Sequence, residues 1–573
     1  MSAKNLEIAR IFAQIADLLE LTQESTFRVN AYRKGSRALE SLAEDVETIA
    51  ARGELRKIGG IGERLAEKIE EYLRTGTIAY FDELRQKLPS GLSELMTIPE
   101  IGPKTALLLY QRLGVADIDA LERAARDGKI RALPRLGAKI EQNILAGIER
   151  RRLAEVRQPI GVVLPRAQAV CEALRRVSGV EEADLAGSIR RMRDTIADID
   201  IVVAVRAPEP VMETLVTLPQ VDRVLSRGPT LSSVLLGTAG IQCDVRAVDP
   251  ESYGAALQYF TGSKDHNVQL REMAVRRELR INEYGVFRVA GDVRIGGRTE
   301  EDVYGAVDLP WIPPEIREGQ GEIEAAQRGA LPALVSLSDL RGDLHMHTTW
   351  SDGDDTAETM ARAAKARGYE YLAVTDHSRS LRFAGGVSVD DLREHAAVVR
   401  ALSDKVGLPI LMGSEVDILP DGSLDYPDEV LQTLDVVIGS VHSRFRMAKE
   451  EMTRRVVTAM QNPHLDILGH PTGRLVGQRP PFELDLEAVI DAARRTETVL
   501  EISAYPERLD LKDAHVHLAR DRGALFEIGT DSHRSDHLRL MEYGVGTARR
   551  GWVEARSVIN TWPLTELLDF LRD

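Results

Sequence analysis

A chain of 573 residues with 43% hydrophobic and 29% charged side chains is too long for one core and too apolar to stay disordered, so several globular domains are expected. Two cysteines exclude a disulfide framework and a thiolate zinc site; the start, MSAKNLEIARIFAQIADLLEL, lacks a signal-peptide core, and no run approaches about 18 uninterrupted apolar residues, so a soluble cytoplasmic protein without a membrane partner is expected. The net charge of −16 argues against nucleic acid only until it is divided: residues 1–317 hold 45 Lys+Arg against 47 Asp+Glu and residues 318–573 hold 29 against 43, so the acidity is C-terminal and the front can still present basic surfaces.

Residues 1–150 read as helix after helix with short Gly-containing turns. LRKIGGIGERLAEKI (55–69), MTIPEIGPKTALLLY (96–110) and RALPRLGAKIEQNIL (131–145) each set an apolar residue and a Gly-containing turn before a new helix. Such a hairpin can hold a DNA phosphate on exposed amides and a helix N-terminus without reading sequence, with Gly60, Gly62, Gly102 and Lys104 at the contact. A glycine turn that only caps a helix is the plainer alternative; two good copies and a degenerate third favour non-specific DNA binding.

From about 155 to 315 strands appear, among them DIDIVVAV (198–205) and IQCDVRAV (241–248). LAGSIRRMRDTIADIDIVVAV (185–205) sets Gly187-Ser188 and Arg190-Arg191 before Asp198 and Asp200, which project from one strand face at i and i+2. With Asp244 from a neighbouring strand they form the carboxylate set that nucleotidyl transfer needs for Mg²⁺ or Mn²⁺, one ion at the 3′-hydroxyl and one at the triphosphate. Gly187 and Ser188 would donate to phosphate oxygens and Arg191 would offset triphosphate charge. A solvated strand end with alternating acids is the bland alternative, and the Gly-Ser turn, the arginines and a third strand-borne aspartate weigh against it.

These residues, with RVNAYRKGS (28–36), YFTGSKDHN (259–267) and RINEYGVF (280–287), make residues 1–317 resemble a family X DNA polymerase of the beta type. The resemblance implies gapped or primer-template DNA and dNTPs as partners. Tyr259 and Phe260 would pack by the incoming sugar, Gly262 would belong to the nucleotide site, and Asn267 and Arg271 would lie by the nascent base pair and template. It also implies a 5′-deoxyribose-phosphate lyase with Lys68 as Schiff-base lysine and Arg28, Tyr32 and Arg64 around a phosphate; a lysine that only neutralises phosphate is the other reading. One departure is Gln242, two before Asp244, where the beta enzyme has an arginine. It bears on rate more than on reaction.

EIREGQGEIEAAQRGALP (315–332) is charged and punctuated by glycine, as an interdomain connection would be. Beyond about 340 strand and helix patterns alternate, which argues for a parallel barrel or a doubly wound sheet. Of 12 histidines only His266 precedes this region. GDLHMHTTWSDG (342–353) carries His345, His347 and Asp352, and His377, Glu415, His442, His470, Asp531 and His533 follow at successive strand ends. Strand ends of a βα barrel converge on one face, so these residues form a ring suited to two or three divalent ions (Mn²⁺, Zn²⁺ or Fe²⁺), bridged by Glu415 or Asp531. His395, His464, His515, His517 and His537 fall in helical or turn patterns and are expected at the surface. Arg379, Arg444, Arg446 and Arg474 follow strands and are candidates to grip phosphate or simply to face water. Residues 340–573 resemble the polymerase and histidinol phosphatase (PHP) domain, which implies a seven-fold βα barrel with a trinuclear site.

The expected architecture is multidomain α+β and α/β. It comprises a helical DNA-end-binding domain (1–90), a fingers-like helix-hairpin-helix domain (91–153), a nucleotidyltransferase palm (154–235), palm end and thumb (236–317), a linker (318–339) and a distorted (βα)7 barrel (340–573). The expected function is a monomeric gap-filling repair polymerase whose barrel trims 3′ ends, with 3′-phosphatase and abasic-site endonuclease as further candidate activities. A DNA-end-binding scaffold carrying a small-molecule phosphatase is the rival.

Overall fold

Apolar stripes build the helical front. In Glu63–Thr75 the residues Leu65, Ala66, Ile69 and Tyr72 recur at helical spacing and are buried, while Glu63, Arg64, Glu67 and Glu70 are exposed. The computed structural model describes the chain except residues 1–2, 22–23, 41, 43–44, 88–91, 96–97, 99, 135, 156, 238–239 and 573. It forms two compact units, Met1–Val156 and Arg157–Asp573. The first has two apolar cores, one around Phe12, Leu19, Leu39 and Ile69 and one around Ile101, Leu109, Leu121 and Ile144. Gly62 and Gly102 occupy the N-caps of Glu63–Thr75 and Pro103–Leu113.

The second unit begins with a five-stranded sheet ordered Val180–Leu185, Asp198–Val205, Ile241–Val248, Leu231–Leu236, Val221–Arg227. All its pairings are antiparallel except the central one between Asp198–Val205 and Ile241–Val248. Ile160–Arg175 covers one face with a stripe of Ile160, Val163, Leu164, Ala167, Cys171 and Leu174. A smaller antiparallel sheet, Leu279–Asn282, Gly285–Arg288 and Val293–Gly296, follows.

Seven parallel strands then pair strictly in chain order, from Gly342–Asp343 and Tyr371–Val374 to Phe526–Glu527. A parallel bridge between Met346 and Ser532 brings the first and last together. Alternating strands and helices make this the (βα)7 barrel that the PHP resemblance implies, one of the two architectures the alternating pattern allows.

The segment expected to be a linker is a folded part of this unit. Glu322–Gln327 is helical, and its Ile323, Ala325 and Ala326 share one core with Val303, Ile312 and Trp552. Its charges concealed this, because they are buried in pairs: Arg317 is fully buried against Glu300, and Glu322 is buried against His266 Nδ1 at 2.7 Å. Leu509, Leu540 and Tyr543 of the barrel likewise join the core of the five-stranded sheet. Among the described residues no helix is long and apolar enough to cross a membrane.

Candidate active sites

Strand register assembles the first site. Asp200 pairs directly with Asp244, and Asp198 with Gln242, so the three aspartates emerge on one face of adjacent parallel strands. Burial, then Asp198 and Asp244, pushes the Asp200 carboxyl up to about 7, and burial with Asp244 also raises Asp198. Arg246, Arg191 and Arg157 offset these shifts only in part, so three acids crowded together fit divalent cations, whose charge would reverse the shifts. Gln242 donates its amide to both oxygens of Asp244, at 2.9 and 3.1 Å, so it orients the carboxylate without neutralising it.

The Gly-Ser turn lies immediately above. Gly187 has φ +62°, and a Cβ there would come within 2.5 Å of an Asp200 oxygen, so only glycine permits the close approach. Ser188 is partly exposed beside it. Arg191 is held away from water: its Nε lies 3.1 Å from Glu318 and it also donates to the Thr261 carbonyl. Arg190 is spent on Glu300 and Thr261. Tyr259 and Phe260 end the helix Tyr253–Thr261 in an edge-to-face pair, and Gly262 caps it at φ +71°. Asn267 is buried, with its amide taken up by Gln258 and the Tyr259 carbonyl, whereas Arg271 is exposed and bonded to the Asn267 carbonyl.

In the helical unit, Lys68, Arg28 and Tyr32 gather around Tyr80, which sequence reasoning passed over. Arg28 donates to the Tyr80 hydroxyl at 2.7 Å, Tyr32 stacks on its ring, and the Lys68 ammonium lies 5.6 Å from its centroid while paired with Glu71 at 3.1 Å. Arg64 is exposed. Gly60 takes φ +101° against the Lys34 side chain, and space around Gly62 and Gly102 is open. The side chain of Lys104 lies outside the described residues.

At the barrel mouth all nine predicted residues converge. Glu415 lies within 3.4 Å of ring nitrogens of His345, His347, His377, His442 and His470. Asp531 stands 3.2 Å from His347, and Asp352 is 3.4 Å from His533 and 3.6 Å from His377. Among the described residues three overlapping groups could hold a metal ion: His347, Asp352, His377 and His533; His345, His347 and Asp531; and His377, Glu415 and His442. His345 Nε2, His347 Nδ1 and Nε2, and His377 Nδ1 are buried and make no aligned hydrogen bond, although all but His347 Nδ1 stand within 3.4 Å of Glu415, an arrangement that is costly unless a cation takes the lone pairs. The donor set fits several divalent ions. His470 and Asp531 adopt φ +25° and +49°, strain that a ligand site stores and a surface loop would relax.

Support behind these ligands was not read from the sequence. Glu501 accepts from His345 Nδ1 at 2.6 Å and from the His470 amide, and Asp417 lies 2.6 Å from His442 Nδ1. The two imidazole bonds leave His345 Nε2 and His442 Nε2 directed at Glu415. Asp417 sits two residues after Glu415 on one strand, the one signal that was available. Arg508 lies 3.2 Å from Asp531.

Two expectations fail here. None of the five other barrel histidines is fully exposed, and two are buried: His395 stacks on Trp350 at 4.5 Å, and His515 lies on the inner side of Asp513–Asp521. His395 falls in the stripe Leu392, His395, Val399, Leu402 of one helix, so helical spacing outweighed its polarity. Arg474 is also buried, bonded to the Arg508 and Leu509 carbonyls. Arg379 pairs with Asp425, while Arg444 and Arg446 are exposed.

Family models match four stretches: a helix-hairpin-helix domain over residues 3–78, a SAM-like helix-hairpin-helix tandem over 92–150, the DNA polymerase beta thumb over 256–318 and the PHP domain over 343–503. The DNA polymerase/3′-5′ exonuclease PolX of Bacillus subtilis (strain 168) is 38% identical over 99% of this chain and 99% of its own. The chain belongs to the bacterial family X DNA polymerases that carry a PHP domain. Two further relatives match about a third of this family X chain: a probable phosphatase of Acetivibrio thermocellus is 32% identical over 34% of this chain and 79% of its own, and one of Thermoanaerobacter sp. (strain X514) is 27% identical over 38% and 89%.

Proposed function

We propose that this chain fills gaps in DNA during base excision repair and that its barrel trims the same DNA as a metal-dependent 3′→5′ exonuclease. The observation that carries the polymerase reading is the Asp200–Asp244 register with Asp198 alongside. These three carboxylates would hold two Mg²⁺ or Mn²⁺ ions, which when bound activate the primer 3′-hydroxyl and neutralise the leaving pyrophosphate. Asp200, raised to about 7, is poised to exchange a proton for metal charge. Gln242 fixes the orientation of Asp244, and Arg191 would exchange Glu318 for the triphosphate. Tyr259 and Phe260 would pack against the sugar.

At the barrel, His345, His347, Asp352, His377, Glu415, His442, His470, Asp531 and His533 would hold two or three divalent ions. Ions held there would supply a nucleophilic water at neutral pH and charge for the scissile phosphate. Glu501 and Asp417 orient imidazoles, and Arg508 stands beside Asp531 as a counter-charge. In the helical unit, Lys68 beside Arg28, Tyr32 and Tyr80 supports a lyase for the 5′-deoxyribose phosphate, and borohydride trapping to a lysine-linked adduct tests it.

The test of the main reading is a time course on end-labelled gapped DNA with and without dNTPs. Extension with dNTPs and one-nucleotide shortening without them are expected. The likeness of about a third of the chain to probable phosphatases favours a second reading, release of terminal phosphate. Phosphate freed from a 3′-phosphorylated primer would add that activity, whereas phosphate freed from histidinol phosphate with the primer uncut would replace trimming by a small-molecule reaction.

A further inference from the structure

The turn carrying Arg191 is built against the barrel rather than standing free. Arg550, at the end of the barrel helix Met541–Arg550, is buried and donates to the main-chain carbonyl of Arg191 at 2.8 Å. The same guanidinium contacts Glu318 at 2.9 Å and Asp513 at 2.9 Å through Nε. One residue on, Met192 adopts φ +54° and packs so closely on the same helix that a Cβ at Gly546 would come within 2.6 Å of it. Two residues further, Asp194 pairs with Arg474 at 3.3 Å.

Glu318 is the centre of this node. Its carboxylate is shared by Arg191 at 3.1 Å, Arg550 at 2.9 Å and, more loosely, Arg193 at 3.7 Å, and those cations hold its carboxyl down to about 2 against the cost of burial. If Arg191 turns toward a triphosphate, Glu318 loses its shortest contact but one. A buried carboxylate left without a partner is costly, so that release is feasible only while another cation remains on it. Arg550 is placed to be that cation. Asp513 balances it from behind, so its own position does not depend on Glu318.

We propose that Arg550 of the barrel is a positioning residue for nucleotide binding in the palm: by holding Glu318 and the Arg191 carbonyl it lets the Arg191 side chain leave Glu318 for the triphosphate. The barrel is then part of the nucleotide-binding machinery as well as a second active site. This inference rests on the polymerase reading and adds to it.

The experiment is steady-state single-nucleotide insertion into gapped DNA by the full chain and by Arg550→Met, Glu318→Gln and the double variant, with barrel hydrolysis and melting temperature measured on each. Insertion by the unaltered chain checks the polymerase reading; only the variants bear on Arg550. Arg550→Met is expected to raise KM for dNTP about tenfold, the scale on which contacting charges couple, with kcat changed little. Adding Glu318→Gln should restore KM to within about threefold, since a neutral amide no longer retains Arg191. An unchanged KM in folded Arg550→Met, or a double variant no better than the single, overturns the proposal. So does a parallel fall of kcat, hydrolysis and melting temperature, which marks a merely structural residue. Should Arg550→Met not fold, Glu318→Gln alone decides: a lower KM for dNTP supports the exchange, and an unchanged or higher KM refutes it.

Discussion

The two candidate metal centres solve one electrostatic problem by opposite means. The palm gathers three aspartates on two adjacent strands with no imidazole among them, and Arg157, Arg191 and Arg246 offset only part of their mutual repulsion, so most of the compensation is left to ions and a triphosphate. The barrel surrounds Glu415 with five imidazoles and backs them with Glu501 and Asp417, so its ligand set is oriented before any ion binds. The contrast teaches that a transiently filled oxygen-only site is built from repulsion, and a resident mixed site from preorganisation. A polymerase must release pyrophosphate and its ion at each cycle, which suits the first design; hydrolysis with water gains from ions that stay.

The largest effect should come from separating the centres. Asp200→Ala is expected to lower extension by at least about a thousandfold while leaving primer shortening within about threefold, and His345→Ala to do the reverse. Both rates are read on the same end-labelled gapped duplex. If each variant loses both activities, the contrast between two independent centres collapses.

A smaller effect should expose the preorganisation. Asp417→Asn or Glu501→Gln should weaken metal retention in the barrel by about tenfold to a hundredfold, the usual cost of removing a carboxylate behind a ligating histidine. Chelation followed by metal back-titration of hydrolysis reads this directly. Extension should be unaffected in both variants. Equal metal retention would mean that imidazoles alone, without their carboxylate partners, define the site.

The difference between the sites also explains what the sequence revealed. Candidate ligands placed at strand ends are legible one by one, because each follows an apolar run, and all nine meet in space. Both palm strands were legible because Ile199, Ile201, Cys243 and Val245 alternate with the acids. Residues that act through others left weaker traces. Glu501 lies within a buried strand, Tyr80 reaches Lys68 and Arg28 from a separate helix, and Arg550 meets Arg191 across 359 positions. Charge misled in the stretch 315–332, because Glu322 and Arg317 are buried by partners distant in sequence. Polarity misled at His395, which occupies a core position against Trp350.

The smallest expected effect tests the claim that the palm is built from repulsion. Asp200 has its folded pKa raised to about 7 from the ordinary 3.8, so between those values the folded state holds more protons than the unfolded one. Stability therefore falls as pH rises from about 4 to about 7, and the loss is complete above that. Asp200→Asn removes the titration. In metal-free buffer the variant should exceed the parent chain in stability by about 1–3 kcal/mol at pH 8, the scale of an uncompensated buried charge, and by little at pH 4.5. Denaturant unfolding of the two proteins at both pH values measures the difference. Saturating Mg²⁺ should reverse the order at pH 8, because the parent carboxylates then bind a cation and the amide binds it poorly. A parent chain as stable as the variant at pH 8 without metal would mean that the three aspartates are already neutralised within the fold, and the palm would then share the barrel's design.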